Sequence, residues 1–259
     1  MFDFNKIKEY FPKEVANNNP KAILVEYLQY EVLDSLFKQP EARDLSFIGG
    51  TAIRLIHDSG RFSEDLDFDN FGLTYSLFQK VANKVWSELA LKGLKAEIRL
   101  LKNENNYHAY LKFPEILNNL GISGHKEAKI FLSVDLQKKK RLFAPEVQTL
   151  NKFGIFRKIL VNPIGILLAQ KLLTIVGRKR EKGRDFYDAS FLAGKAKADY
   201  NYIKRMTGLN KEEFGQKIIA KCQSLNYKAL AQDVEPFLFD NDQIERVLSF
   251  KSQLTEVLH

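Results

Sequence analysis

The sequence from Phe47 to Phe68 reads F-I-G-G-T-A-I-R-L-I-H-D-S-G-R-F-S-E-D-L-D-F. Its succession of apolar, glycine and polar residues predicts a short strand, a paired-glycine turn, an amphipathic helix and a second strand. Asp65 and Asp67 are two residues apart, so in a strand both side chains leave the sheet on the same face. Two neighbouring carboxylates repel each other, and a cation between them relieves that repulsion. The pair therefore indicates a site for a divalent metal ion.

The paired glycines mark the passage from the first strand to the helix. Backbone amides and a helix N-terminus at such a place can meet a phosphate group, although glycine pairs are also common in plain turns. The small residues at this turn are Gly49, Gly50 and Thr51. Arg61 and Ser63 come just before the acids, and Arg61 either orients a carboxylate or phosphate or is a surface turn residue. Turn and acids together suggest nucleotide chemistry.

Length and composition bound the class of protein. With 259 residues and 45% hydrophobic residues, the chain can bury the core of one large domain or two modest ones. No window approaches the roughly 18 apolar residues of a membrane span, and the N-terminal residues lack a signal-peptide pattern. The single cysteine, Cys222, excludes an intramolecular disulfide. We expect a cytoplasmic protein with no membrane partner.

The charge balance is basic, at +8. This value is compatible with a polyanionic partner such as RNA. Positive residues concentrate in two clusters, Lys138–Arg141 and Arg178–Arg184. Either cluster is equally well explained as a solvated face.

Hydrophobic patterns divide the chain near residue 160. Helical patterns cover 21–38 and 74–91, and strand patterns cover Lys95–Leu101, Tyr107–Phe113 and Lys129–Gln137. We therefore expect an α/β (α+β) protein whose first domain, residues 1–160, has a mixed sheet flanked by helices. From Pro163 onward the patterns are helical. Residues 161–259 are expected to form a helical bundle that closes the cleft over the acids.

Charged residues outside the opening stretch provide further candidates. Asp135, near the end of the third of these strands, is either a third carboxylate at the metal or a strand-terminal surface acid. Lys171 lies on the apolar stripe of a predicted helix, where it either snorkels to water or faces a cleft and binds a triphosphate. Asp185 and Asp188, taken alone, are acids that favour the start of a helix.

Several of these motifs resemble one known family. They are G-G-T-A at 49–52, R-F-S-E-D-L-D-F at 61–68, Lys171, and R-D-F-Y-D at 184–188. The segment from Leu45 to Leu192 resembles the AbiEii/AbiGii-type nucleotidyltransferases, toxins of bacterial abortive-infection and type IV toxin–antitoxin systems. These are distant members of the polymerase-β-like superfamily. That superfamily's glycine-serine turn is here Gly-Gly-Thr.

The resemblance implies roles for individual residues. The phosphates of the nucleotide would be held by Gly49, Gly50 and Thr51. Asp65 and Asp67 would bind Mg²⁺ and, through it, the triphosphate; Lys171 would contact phosphate, and Asp185 would be a further acid of the cleft. We also expect four other residues to contribute to nucleotide binding: Arg61, Ser63, Arg184 and Asp188.

The expected reaction is nucleotidyl transfer. An acceptor hydroxyl attacks the α-phosphorus of an NTP and expels pyrophosphate, with two Mg²⁺ (or Mn²⁺) ions between the reacting oxygens. Asp65 and Asp67 would bridge the ions, and Asp135 would ligate the one beside the acceptor. The resemblance favours a tRNA 3′ end as acceptor and an antitoxin that need not bind the toxin. The alternatives are transfer to a protein or small-molecule hydroxyl, and a non-catalytic nucleotide-binding module.

Overall fold

The computed structural model describes residues 3–258, which separate into two compact units. The first unit comprises the residues up to Ile56 together with Phe62–Val161. The second comprises His57–Arg61 together with the residues from Asn162 onward. The boundary at residue 61 falls inside the R-F-S-E-D-L-D-F segment, so neighbouring residues of one motif belong to different units.

A seven-stranded sheet forms the centre of the first unit, in the order β3-β4-β5-β2-β1-β7-β6. The strands are β1 Leu45–Ile48, β2 Leu66–Asn70, β3 Glu97–Lys102, β4 Asn106–Phe113, β5 Ile130–Lys138, β6 Glu146–Lys152 and β7 Ile155–Val161. The pairs β2·β5 and β1·β7 are parallel, and the other four are antiparallel. The expected mixed sheet is confirmed.

Helices supply the apolar cover of this sheet. The helices of the first unit are α1 Phe4–Lys8, α2 Lys13–Asn18, α3 Pro20–Phe37, α4 Gly49–His57, α5 Tyr75–Leu91 and α6 Ile116–Asn119, with a 3₁₀ turn at Pro40–Asp44. Pro20 occupies the first turn of α3, where its missing N–H costs nothing. Side chains of α3 and α5 pack on Leu111, Val134 and Leu136 of the sheet. The core of the unit lies between these two helices and the strands.

The second unit is helical over its described residues after Val161. Its helices are α7 Ile164–Gly177, α8 Gly183–Ala193, α9 Tyr200–Thr207, α10 Lys211–Gln223, α11 Tyr227–Val234, α12 Glu245–Leu248 and α13 Leu254–Leu258, with 3₁₀ turns at Glu235–Phe237 and Asn241–Ile244. Helix α8 is buried almost all round, and Phe186, Tyr187 and Leu192 are at most 1% exposed. Across residues 3–258, no helix combines the length and apolar character needed to cross a membrane.

Three local features differ from the sequence expectation. Strands β6 and β7 were not anticipated. Asp65 lies just before β2 rather than within it, although Leu66 and Phe68 are buried and the alternation of faces is as predicted. The glycines do not form a separate turn, since helix α4 begins at Gly49 directly after β1 ends at Ile48.

Candidate active site

The start of helix α4 lies against an acid of the neighbouring strand. Gly49 has a φ of +79°, in the left-handed region that favours glycine. A Cβ atom at this position would lie 2.4 Å from Oδ2 of Asp67. Only glycine therefore lets the chain turn from β1 into α4 while the carboxylate stays where it is. The contact brings the N-terminal amides of a helix, which favour anions, next to a candidate metal ligand.

Thr51 fixes the same junction from inside. Its side chain is fully buried, and its hydroxyl donates a hydrogen bond to the backbone carbonyl of Asp65. Gly50 is also buried. The structure thus gives the Thr51 hydroxyl a partner in the chain, tying α4 to the residue that precedes β2. Ser63 is half-buried, and its carbonyl accepts a hydrogen bond of 2.8 Å from the side-chain amide of Gln29.

Two acids from different strands are direct neighbours in the sheet. In the parallel pair β2·β5, Asp67 is in register with Asp135. Adjacent strands are about 4.8 Å apart, so the two side chains leave the same face side by side. Asp65, Asp67 and Asp135 are all half-buried, whereas the residues that alternate with them are buried. Register therefore places Asp135 in one row with Asp67 on this face of the sheet.

Both oxygens of Asp135 have partners within the sheet. Oδ1 contacts Nδ1 of His108, the residue opposite it on β4, and Oδ2 accepts a hydrogen bond of 2.7 Å from the Ser133 hydroxyl. No motif in the sequence singles out His108. It lies opposite Asp135 through the register of β4 with β5, which the long connection between these strands, containing α6, does not fix in advance.

The donor set suits a metal ion that arrives with a nucleotide. Among residues 3–258, no three His, Cys, Asp or Glu side chains group closely enough to hold a metal ion. Mg²⁺ differs from Zn²⁺ or Ca²⁺ in this respect, because it is usually bound by one or two carboxylates, several waters and the phosphates of the substrate. Asp67, which lies beside Gly49, and Asp65, two residues before it, fit that pattern of ligands.

The second unit contains a chain of five alternating charges. Arg178 contacts Asp185 at 2.9 Å, Asp185 contacts Lys171 at 3.2 Å, and Lys171 contacts Asp188 at 2.7 Å. The chain ends at Arg61, whose guanidinium donates two hydrogen bonds of 2.6 Å to the carboxylate of Asp188. Three positive groups and two negative groups leave a net charge of +1. We call these five residues the ionic chain.

Burial differs sharply along the ionic chain. At one end, the side chains of Arg61 and Asp188 are 1% and 0% exposed. Towards the other end, the side chain of Lys171 is 13% exposed and that of Arg178 is 36% exposed. Burial by itself would raise the pKa of Asp188, but the charges of Arg61 and Lys171, with their hydrogen bonds, outweigh it and hold that pKa below its ordinary value.

Arg61 and Asp188, both expected to bind nucleotide, are thus partners of each other. Lys171, which the sequence left between snorkelling to water and facing a ligand, is held by two acids of α8. Arg178, which the sequence noted only as part of a basic cluster, belongs to the same arrangement. Arg184 is half-buried in the first turn of α8.

Solved structures that share this fold include the following two. MenT4, a nucleotidyltransferase toxin from Mycobacterium tuberculosis, aligns with a TM-score of 0.60 at 16% identity, over 98% of this chain and 90% of that chain. JHP933 from Helicobacter pylori aligns with a TM-score of 0.56 at 16% identity, over 92% of this chain and 91% of that chain. At this identity the likeness shows the fold, which is one used by a nucleotidyltransferase toxin.

The sequence itself identifies the family. The family model described as "Nucleotidyl transferase AbiEii toxin, Type IV TA system" matches residues 31–255. The chain therefore belongs to the AbiEii family of nucleotidyltransferase toxins of type IV toxin–antitoxin systems. A comparison with curated proteins gave no match. The resemblance seen in the opening motifs is confirmed.

Proposed function

We propose that the protein transfers a nucleoside monophosphate from an NTP to an acceptor hydroxyl in a Mg²⁺-dependent reaction, and that this activity makes it toxic in the cytoplasm. The observation that carries the proposal is the register of β2 with β5, which sets Asp67 beside Asp135. Gly49 brings the start of α4 against the same carboxylate. Acids for a metal and helix amides for a phosphate thus lie together where α4 begins beside β2.

In this reaction the acceptor oxygen forms a bond to the α-phosphorus while the bond to pyrophosphate breaks. Bound Mg²⁺, or Mn²⁺ in its place, supplies neutralisation of the phosphate charge. Asp65 and Asp67 would hold the metal–nucleotide, and the amides at Gly49 and Gly50 would bind a phosphate oxygen. Asp135, fixed on both sides by His108 and Ser133, would face the acceptor hydroxyl and accept its proton. These residues position the reactants, and positioning dominates phosphoryl transfer.

We assign the ionic chain to the phosphate groups of the nucleotide. Lys171 and Arg178 are its partly exposed cations, and we assign them to neutralising the triphosphate. Asp185 contacts both of them and holds their side chains in place. We assign Arg61 and Asp188 to supporting Lys171 from the buried end. Arg184, in the first turn of α8, and Ser63, just before the acids, complete the proposed nucleotide-binding set.

The proposed acceptor is RNA, with a tRNA 3′ end favoured by the family resemblance. A net charge of +8 supports a polyanionic acceptor, and binding should weaken as salt rises. The antitoxin of a type IV system need not touch the toxin. A protein hydroxyl or a small-molecule hydroxyl is the competing acceptor, and a nucleotide-binding module without catalysis is the competing function.

The deciding experiment incubates the protein with each α-³²P-labelled NTP and with separate pools of total bacterial RNA and protein. We expect label on RNA from one or more NTPs, and loss of transfer when EDTA removes divalent cations. Label on protein alone would overturn the RNA acceptor. Transfer that persists in EDTA would overturn the metal requirement.

Variants of Asp65 and Asp67 separate catalysis from nucleotide binding. Asp67→Asn and Asp65→Asn should each reduce transfer at least about a hundredfold, since the metal contributes several kcal/mol to charge stabilisation. Glu64→Gln is the matched control, because Glu64 adjoins the pair and is exposed. If Asp65→Asn abolishes both transfer and growth inhibition while NTP still binds, a binding-only function is excluded. If a variant still inhibits growth although it no longer transfers a nucleotide, the binding-only function would be supported.

A further inference from the structure

One face of strands β3, β4 and β5 carries Asp135 and two exposed aromatic rings, those of Tyr110 and Phe131. Cross-strand pairing defines its rows, because directly opposed residues share a face. The first row joins Leu101, His108 and Asp135; the second joins Arg99, Tyr110 and Ser133; the third joins Glu97, Lys112 and Phe131. The residues that alternate with the aromatic ones, such as Leu111 and Leu132, are buried in the core. We call these nine residues the stacking face.

The aromatic rings of the stacking face remain accessible. Tyr110 is 39% exposed and Phe131 is 62% exposed. His108 and Tyr110 lie nearly parallel, with ring centroids 6.1 Å apart and an interplanar angle of 10°. Single exposed rings are common on protein surfaces, whereas Tyr110 and Phe131 are diagonal neighbours on one face beside His108, and such a group of rings suits a flat ligand. Flat rings on a sheet are the surface on which unpaired bases stack in several nucleic-acid-binding folds.

Cations stand beside both rings. Arg99 is exposed and lies directly opposite Tyr110. The Lys129 ammonium is 5.6 Å from the centroid of the Phe131 ring. Lys112, between them, is paired with Glu97 at 2.6 Å. Exposed rings interleaved with positive charge match a nucleic-acid strand, whose bases stack while its phosphates meet the cations.

We propose that the stacking face binds the unpaired end of an acceptor RNA, with one base on Tyr110 and the next on Phe131. This inference rests on the proposed nucleotidyl transfer and adds where its acceptor lies. Tyr110 and Phe131 are two and four residues from the row of Asp135, about 7 and about 13 Å along the strands. These steps equal one and two nucleotides of an extended strand. The terminal hydroxyl then falls at Asp135.

The pattern favours RNA ends over other partners. The charged side chains of Arg99, Glu97 and Lys112 border the two rings, so the face lacks the continuous apolar patch that an amphipathic helix would need. Paired bases in an RNA duplex present no free ring faces to a protein. The stacking face therefore selects an end with unpaired nucleotides.

Binding by fluorescence anisotropy, without NTP, tests the site. The probes are a labelled RNA hairpin with a four-nucleotide 3′ overhang and the same hairpin with a blunt end. We expect the overhang to bind more tightly, and Tyr110→Ala or Phe131→Ala to weaken its binding about tenfold. Phe156→Ala is the matched control, because Phe156 is a phenylalanine 69% exposed on β7, three strands from β5. It should leave the affinity unchanged.

The outcomes separate this inference from the proposed function. Equal affinities for both hairpins, or equal losses in Phe131→Ala and Phe156→Ala, would overturn the stacking face even if transfer to RNA is observed. Tight, overhang-dependent binding without any transfer would support the face and refute the proposed chemistry. A label found on protein, with transfer lost in Tyr110→Ala and RNA binding unchanged, would show a protein acceptor on this face instead.

Discussion

Replacement of Asp188 by Asn should destabilise the protein rather than weaken nucleotide binding directly. The change keeps the size of the side chain and removes its charge. In the structure that charge faces Arg61 through two hydrogen bonds and Lys171 at 2.7 Å. The variant leaves two cations in the second unit without this carboxylate, and one of them is 1% exposed.

The magnitude follows from burial. Removing one partner of a buried ion pair costs about 3–5 kcal/mol, because the remaining charge is left in a poorly solvated place. The asparagine carbonyl can still accept from the guanidinium, so we expect about 3 kcal/mol. A typical domain has a free energy of unfolding of roughly 5–15 kcal/mol, so the loss is a large fraction of the total. Glu97→Gln is the control, since its exposed pair with Lys112 should be worth below about 1 kcal/mol.

Urea unfolding between pH 3 and pH 7 measures both the size and the origin of the effect. The pKa of Asp188 is lowered in the folded protein. A lowered carboxyl pKa adds stability above the unfolded value of about 3.9, and this stability is lost as pH falls through the folded pKa. The difference between wild type and Asp188→Asn should thus be constant near neutral pH and shrink only below about pH 4.

A different outcome would refute this reasoning. If Asp188→Asn unfolds within about 1 kcal/mol of wild type but raises the KM for NTP, the carboxylate acts on the nucleotide, as the sequence suggested. A stability difference that does not change with pH would show that the lost charge is not its source.

One glycine substitution in each unit tests a close contact, and each is compared with a control glycine that has open space around it. Gly49→Ala should lose transfer as well as about 1–2 kcal/mol of stability, because its Cβ would meet Asp67 and its φ is +79°. The control Gly121→Ala, at a φ of +67° with open space around it, should lose stability alone. Transfer activity retained in Gly49→Ala would contradict the role of this contact. Gly183→Ala should cost more than about 3 kcal/mol, because its Cβ would lie 1.8 Å from a backbone oxygen of α11. Gly215→Ala, inside α10 with open space around it, should be neutral or stabilising by up to about 1 kcal/mol in thermal unfolding. Equal melting temperatures for these last two variants would refute the packing argument.

Local patterns were sufficient for most elements of the fold. The helices predicted at 21–38 and 74–91 agree with α3 and α5 to within one residue at each end. The hairpin of β6 and β7 was missed because β6 is an edge strand, largely exposed, and has little alternation of apolar and polar residues. Its turn uses Phe153 and Gly154 at φ values of +57° and +76°. Phenylalanine at a positive φ matches none of the usual hairpin signals.

Contacts between distant residues were beyond these patterns. Arg61 and Asp188 are 127 positions apart, and the buried hydroxyl of Thr51 bonds to a backbone atom rather than to a recognisable partner. Such pairs depend on how helices and strands meet, which periodicity does not encode. The same holds for strand register, which puts Asp135 beside Asp67 and opposite His108 but depends on pairings between strands that are distant in the sequence or joined by long connections.

Burial separates two kinds of residue within a single motif. Arg61 and Asp67 are six positions apart in R-F-S-E-D-L-D-F, yet Arg61 is 1% exposed inside the second unit and Asp67 is half-buried on the sheet of the first. A side chain that must meet a nucleotide needs access to solvent, whereas a buried charge needs a partner. The motif alone would predict one phenotype for changes at both positions. The structure predicts two: Asp67→Asn should fold normally and fail to transfer, whereas Arg61→Met should lose stability before it loses activity per folded molecule.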